Sequence, residues 1–168
     1  MNNSIDMGVF WDYENVRVPR DVKTADAANA IRSSISSYGK VIDKKLYYDS
    51  AKKTEEHTDR TILDLCGFTL VDCPTRNRKE TLDKKMIVDM IGFAWERVGR
   101  GVPVCVVLIS SDGDYSYTLS KLRDLKVKTV VIYGFDNFAP VLLDCCDQAI
   151  SWTDVLQGYG PSASAMVE

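Results

Sequence analysis

The sequence predicts an α/β fold in which a mainly parallel sheet carries helices on both faces. Three observations carry that expectation. Short apolar, β-branched or aromatic runs alternate with longer stretches of helical periodicity along the whole chain. Local signals agree with the alternation: Ser111 and Asp112 stand where an N-cap belongs, Gly39 and Gly67 follow helical stretches, and Pro103 precedes a strand. The 168 residues, 45% hydrophobic and 27% charged, suit one globular domain with a sizeable core.

Taken in order, the first strand is Met7–Asp12, an apolar run that ends in the polar DYEN. The other strands are Val41–Tyr48, Phe68–Asp72, Val104–Ser110, Lys128–Tyr133 and a short Gln148–Ile150. Helices fill the intervals at about Ala25–Tyr38, Glu55–Leu65, Leu82–Val98, Tyr115–Leu125 and Ala139–Cys145. Right-handed crossovers and the simplest doubly wound path give the strand order 3-2-1-4-5. The first and fourth strands are then neighbours at the topological switch point, and residues just past their ends, Asp12 and Asp112, line the crevice where ligands bind.

Composition excludes several classes. The longest apolar run, Val102–Ile109, is far short of the roughly 20 residues of a membrane helix. The N-terminus has no signal-peptide pattern, so a secreted protein is not expected. Five cysteines with no CxxC spacing argue against both a disulfide framework and a zinc ribbon. They read as reduced, mostly buried thiols in a reducing compartment, cytoplasmic or mitochondrial. The last residues, 158–168, are small and polar, as in a linker or frayed tail, which leaves 1–157 as the domain and a longer parent protein in view. A net charge of −3 shows no global basic bias toward nucleic acid, so any RNA contact needs local segregation of charge.

The acids are segregated. FWDYEN delivers Asp12 at a strand end with Asn15 three residues on, and VLISSDGDY ends a buried strand in Asp112 and Asp114. Taken singly these are turn and capping residues. Converging from neighbouring strands, their charges repel by about 1 kcal/mol in water and about 4 at a partly shielded surface, which calls for a cation. Asp83, near the start of the third helix, is the fourth acid; Asp89, six positions on, lies about 120° away around the axis and is left as a supporting or packing residue, as is Ser111. Carboxylates suit Mg²⁺ or Mn²⁺ rather than zinc. The sole histidine, His57, rules out a histidine-pair ribonuclease, so hydrolysis here requires metal-activated water. GxGxxG and Walker motifs are absent, and DYEN lacks the DxD of aspartyl-phosphate enzymes.

At GVFWDYEN followed by Val-x-Pro, at TLDKK and at SSDGDY, the chain resembles the NYN domain family, a branch of the PIN-like nucleases, over nearly its whole length. The resemblance implies a PIN-like α/β/α sandwich and a Mg²⁺- or Mn²⁺-dependent endoribonuclease acting on single-stranded or flexible RNA. It makes Asp12, Asp83, Asp112 and Asp114 the catalytic and metal residues, with Asn15 as their polar partner. Asp12 and Asp112 would hold the principal ion, Asp83 and Asp114 would complete its shell, and the products would carry 5′-phosphate and 3′-hydroxyl ends. Arg76, Arg78 and Lys79, just before the helix of Asp83, are candidate phosphate guides, with Lys84, Arg17 and, more weakly, Arg20 beside them. Trp11, Tyr13 and Tyr115 are weighed as base-stacking residues against core packing. The competing reading is a catalytically silent RNA-binding or protein-interaction module that keeps its acids for folding.

Overall fold

A computed structural model describes residues 4–52, 57–75, 80–134 and 136–159. Six strands, β1 (Asp6–Asp12), β2 (Lys40–Tyr48), β3 (Thr69–Asp72), β4 (Val104–Ile109), β5 (Lys128–Tyr133) and β6 (Gln148–Ser151), form one sheet in the order β3-β2-β1-β4-β5-β6. Every pairing is parallel. The expected order 3-2-1-4-5 is met, and the short sixth strand extends the sheet beside β5.

The helices are α1 (Thr24–Ile35), α2 (His57–Leu65), α3 (Thr81–Gly99), α4 (Ser116–Asp124), α5 (Pro140–Asp144) and α6 (Trp152–Val155). Three differences from the sequence expectation have local causes. α1 stops at Ile35, where the last buried side chain of its apolar face lies, and Ser36–Tyr38 form a turn. The fourth crossover opens as a 3₁₀ turn, Gly113–Tyr115, because the Asp112 carboxylate accepts from the Asp114 N–H at 2.9 Å and tightens the chain before α4 begins. The unforeseen α6 is nucleated by Ser151, whose hydroxyl accepts from the Asp154 N–H at 3.1 Å.

Strand periodicity decides which side of the sheet each residue serves. On β1, Met7, Val9 and Trp11 face the layer of α1, α2 and α6, packing with Ile31, Ile35, Leu63 and Trp152. Phe10 faces the other layer, with Leu82, Met86, Met90 and Phe93 of α3 and Leu119 of α4. These positions on α3 recur as one helical stripe. Gly8, two residues before Phe10, shares its row; a Cβ there would lie 2.8 Å from the Phe93 ring, so its lack of a side chain lets α3 sit close to the sheet. Asp12 continues the same row, which aims its carboxylate at α3 and the 3₁₀ turn. Among the described residues no helix is long and apolar enough to cross a membrane, and all five thiols are free.

Candidate active site

The site is built from the C-terminal ends of β1 and β4, which run side by side with Trp11 opposite Ile109. Asp12 follows immediately on β1 and is fully buried. Its two oxygens are occupied by protein donors. The Glu14 N–H donates to Oδ1 at 3.1 Å, while the Asn15 amide and the Ser110 hydroxyl, the latter at 3.1 Å, donate to Oδ2. Burial pushes the Asp12 carboxyl above the ordinary range, against the pull of the bonds from Asn15, Ser110 and the backbone.

Above Asp12 the acids gather. One carboxylate oxygen from each of Asp83, Asp112 and Asp114 lies within 4.8 Å of the other two. Asp83 and Asp112 are half-buried and Asp114 is exposed. Asp83 reaches the cluster from the first turn of α3. Its carboxyl is pushed up to about 6, first by burial, with the hydrogen bond from Tyr115 opposing and the charges of Asp12, Asp112 and Asp114 adding. Three carboxylates held this close, all oxygen donors, fit a hard divalent cation.

Tyr115 joins the two levels. It is fully buried, and its hydroxyl lies 2.9 Å from Asp83 Oδ1, 3.3 Å from Asp12 Oδ2 and 3.2 Å from the Met86 sulfur. With a single proton it donates to one carboxylate at a time, and Asp83 is the nearer. Burial and the adjacent carboxylates hold its phenol strongly protonated, so it stays a donor.

Sequence reasoning proposed Asp12 and Asp112 as the central pair. The close group in the structure is instead Asp83, Asp112 and Asp114, with Asp12 deeper and tied to Asp83 through Tyr115. Asn15 braces Asp12. Asp89 stays outside the cluster and accepts from the Tyr47 hydroxyl at 2.6 Å, fastening α3 to β2. The Ser111 hydroxyl does not cap the turn; it accepts from the Gly134 N–H at 2.8 Å and ties β4 to β5. Trp11, Tyr13 and Tyr115 are core residues, exposed by 1% or less, which removes them as stacking platforms. Lys84 is exposed on α3, and Arg17 is exposed with its Nε donating to the Tyr13 carbonyl at 3.3 Å. Arg76, Arg78 and Lys79 lie outside the described residues.

Sequence reasoning missed Ser110 and the bracing role of Tyr115. The adjacency of Tyr115 to Asp114 was the available signal, but its bond to Asp83 spans 32 residues.

A doubly wound, parallel α/β/α sandwich with a carboxylate cluster at its switch point defines a PIN-like domain. The NYN domain model matches residues 6–156, and the chain belongs to the NYN domain family. Meiosis regulator and mRNA stability factor 1 of Xenopus tropicalis is 23% identical over 155 residues, and its counterpart in Mus musculus 24%. Each alignment covers 92% of this chain and 9% of the relative, so the chain spans 9% of the length of those proteins. A solved structure of a protein of unknown function from Vibrio parahaemolyticus is similar in fold, with a TM-score of 0.71 at 19% identity, covering 92% of this chain and 97% of that one.

Proposed function

We propose that this domain is a Mg²⁺- or Mn²⁺-dependent endoribonuclease that hydrolyses phosphodiester bonds of single-stranded or flexible RNA, in RNA processing or decay. The observation that carries the reading is the convergence of Asp83, Asp112 and Asp114 oxygens within 4.8 Å at the switch point. These three residues would hold the ion, with Asp12 supporting them from below. The ion, when bound, lowers the pKa of a bound water and stabilises charge on the phosphate oxygens.

The chain's own residues supply orientation. Asn15 and Ser110 fix the Asp12 carboxylate, and Tyr115 directs Asp83. Arg17 and Lys84, together with Arg76, Arg78 and Lys79, would guide phosphates, giving an affinity that falls with salt. We read residues 1–157 as the nuclease unit of a longer parent protein, in the cytoplasm or a mitochondrion, where its thiols stay reduced.

One observation favours the silent module: Asp112 caps the 3₁₀ turn and Asp12 is saturated by protein donors, so both acids also serve the fold. Incubating a labelled single-stranded RNA with the chain in Mg²⁺, Mn²⁺ or EDTA separates the two readings. Cutting that requires the metal and is lost in Asp12→Asn and Asp112→Asn is expected. Metal-independent cutting, or full activity in both variants, would overturn the nuclease reading, and binding without cutting would favour the silent module.

A further inference from the structure

We propose that the groove next to the acidic cluster is a nucleobase pocket that takes a guanine of the RNA strand, an inference that rests on the nuclease reading for the strand the base belongs to. The groove, of about 610 Å³, lies between the loop after β1, the end of β5 and α6. That size falls in the range of small-molecule sites. It adjoins the acids through two shared residues: Asn15, which braces Asp12, and Ser111, which precedes Asp112.

The floor is apolar and already formed. Val16, Trp152 and Leu156 are buried beneath it. Trp152 is pinned, its indole N–H donating to the Arg17 carbonyl at 2.9 Å and its ring meeting Trp11 edge-on at 5.6 Å. Trp11 in turn donates to the Val16 carbonyl at 2.8 Å. A rigid apolar floor accepts a flat ring at little ordering cost. Tyr159, 38% exposed, stands at the rim where a ring could stack.

The walls select the ring. Three exposed acids, Asp21, Asp136 and Asp154, line the groove, with Arg17 as the one basic residue among the lining. Among the described residues none of these three carboxylates makes a hydrogen bond or ion pair. A negative wall repels phosphate and accepts from N–H groups. Guanine presents N1–H and N2–H₂ side by side, which match the two oxygens of one carboxylate; adenine and cytosine offer one amino group. Uracil sets a single N–H between two carbonyls, which the carboxylates oppose.

Titrating the metal-free chain with GMP, UMP and inorganic phosphate, followed by amide and indole NMR shifts, tests the pocket without chemistry. GMP should shift Trp152, Ser111 and Gly134 and bind about tenfold more tightly than UMP, the worth of one bidentate pair. The double variant Asp136→Asn/Asp154→Asn, altered at two exposed positions, should lose that preference and keep its fold. In Mg²⁺ or Mn²⁺, cuts in a mixed-sequence RNA should fall at a fixed offset from guanines, and the double variant should cut at other bases too. Equal shifts with GMP, UMP and phosphate, or cutting indifferent to base, overturn the pocket and leave the nuclease reading standing. GMP seated in the groove of a chain that cuts no RNA upholds the pocket and overturns the nuclease reading.

Discussion

The floor and the mouth of the acidic cleft treat the same chemical group in opposite ways. At the floor, Asp12 is fully buried and receives donors from Asn15, Ser110 and the Glu14 backbone. At the mouth, Asp83, Asp112 and Asp114 face one another across 4.8 Å or less, and among the described residues the bonds they accept are those of Tyr115 and one backbone N–H. A buried carboxylate without donors costs several kcal/mol, so the fold supplies them where water cannot. At the mouth, among the described residues, like charges stand together with fewer donors. The floor is therefore an element of stability and the mouth an element of binding.

The largest effect that tests this division is on chemistry. Asp114→Asn should lower RNA cleavage by on the order of 10²–10³-fold while leaving the urea midpoint nearly unchanged. A parallel fall in stability would erase the distinction. At the floor the order reverses: Asp12→Ala should cost about 2–3 kcal/mol in urea unfolding, because buried donors are left unpaired. A loss well under about 1 kcal/mol would mean that the donors find water instead.

The next test uses pH. Asp83 is raised from 3.8 to about 6 in the fold, so its contribution to stability is fully present below about 3.8 and is lost as pH rises through about 6. Asp12, also raised, acts in the same direction. In EDTA the chain should lose stability across that window, and Asp83→Asn should flatten the slope. Mn²⁺ at pH 7 should raise the melting temperature by a few degrees in the parent chain and not in Asp112→Asn. An unchanged slope in Asp83→Asn would show that the mouth does not carry the strain. The smallest effect is expected farther along α3, where Asp89→Asn should weaken the bond to Tyr47 by about 1 kcal/mol and leave cleavage within about twofold.

Several features are legible in the order of residues alone. Parallel alternation places Asp12 and Asp112 on neighbouring strands, since crossover handedness leaves few orders open, and β1 does pair with β4. Helical geometry separates Asp89 from Asp83, and the two have different partners, Tyr47 and Tyr115. The capping place of Asp112 follows from its position after a strand. Each of these rests on contacts or periods local to one element, or on a topological rule.

Tertiary packing decided the rest. Strand period tied Asp12 to the row of Phe10, but only the docking of α3 and the 3₁₀ turn on that face brought Tyr115 to within 3.3 Å of it. The choice of Asp83, Asp112 and Asp114 as the close group depends on where the first turn of α3 lies, which no local signal specifies. The groove is further still from the sequence: Trp152 reaches the Arg17 carbonyl across 135 residues. The chain by itself determined which residue types end the strands, through periodicity and turn chemistry. Which of those residues meet, and which are sealed from water, came from packing between distant segments, because burial and mutual distance are properties of neighbours that the sequence does not order.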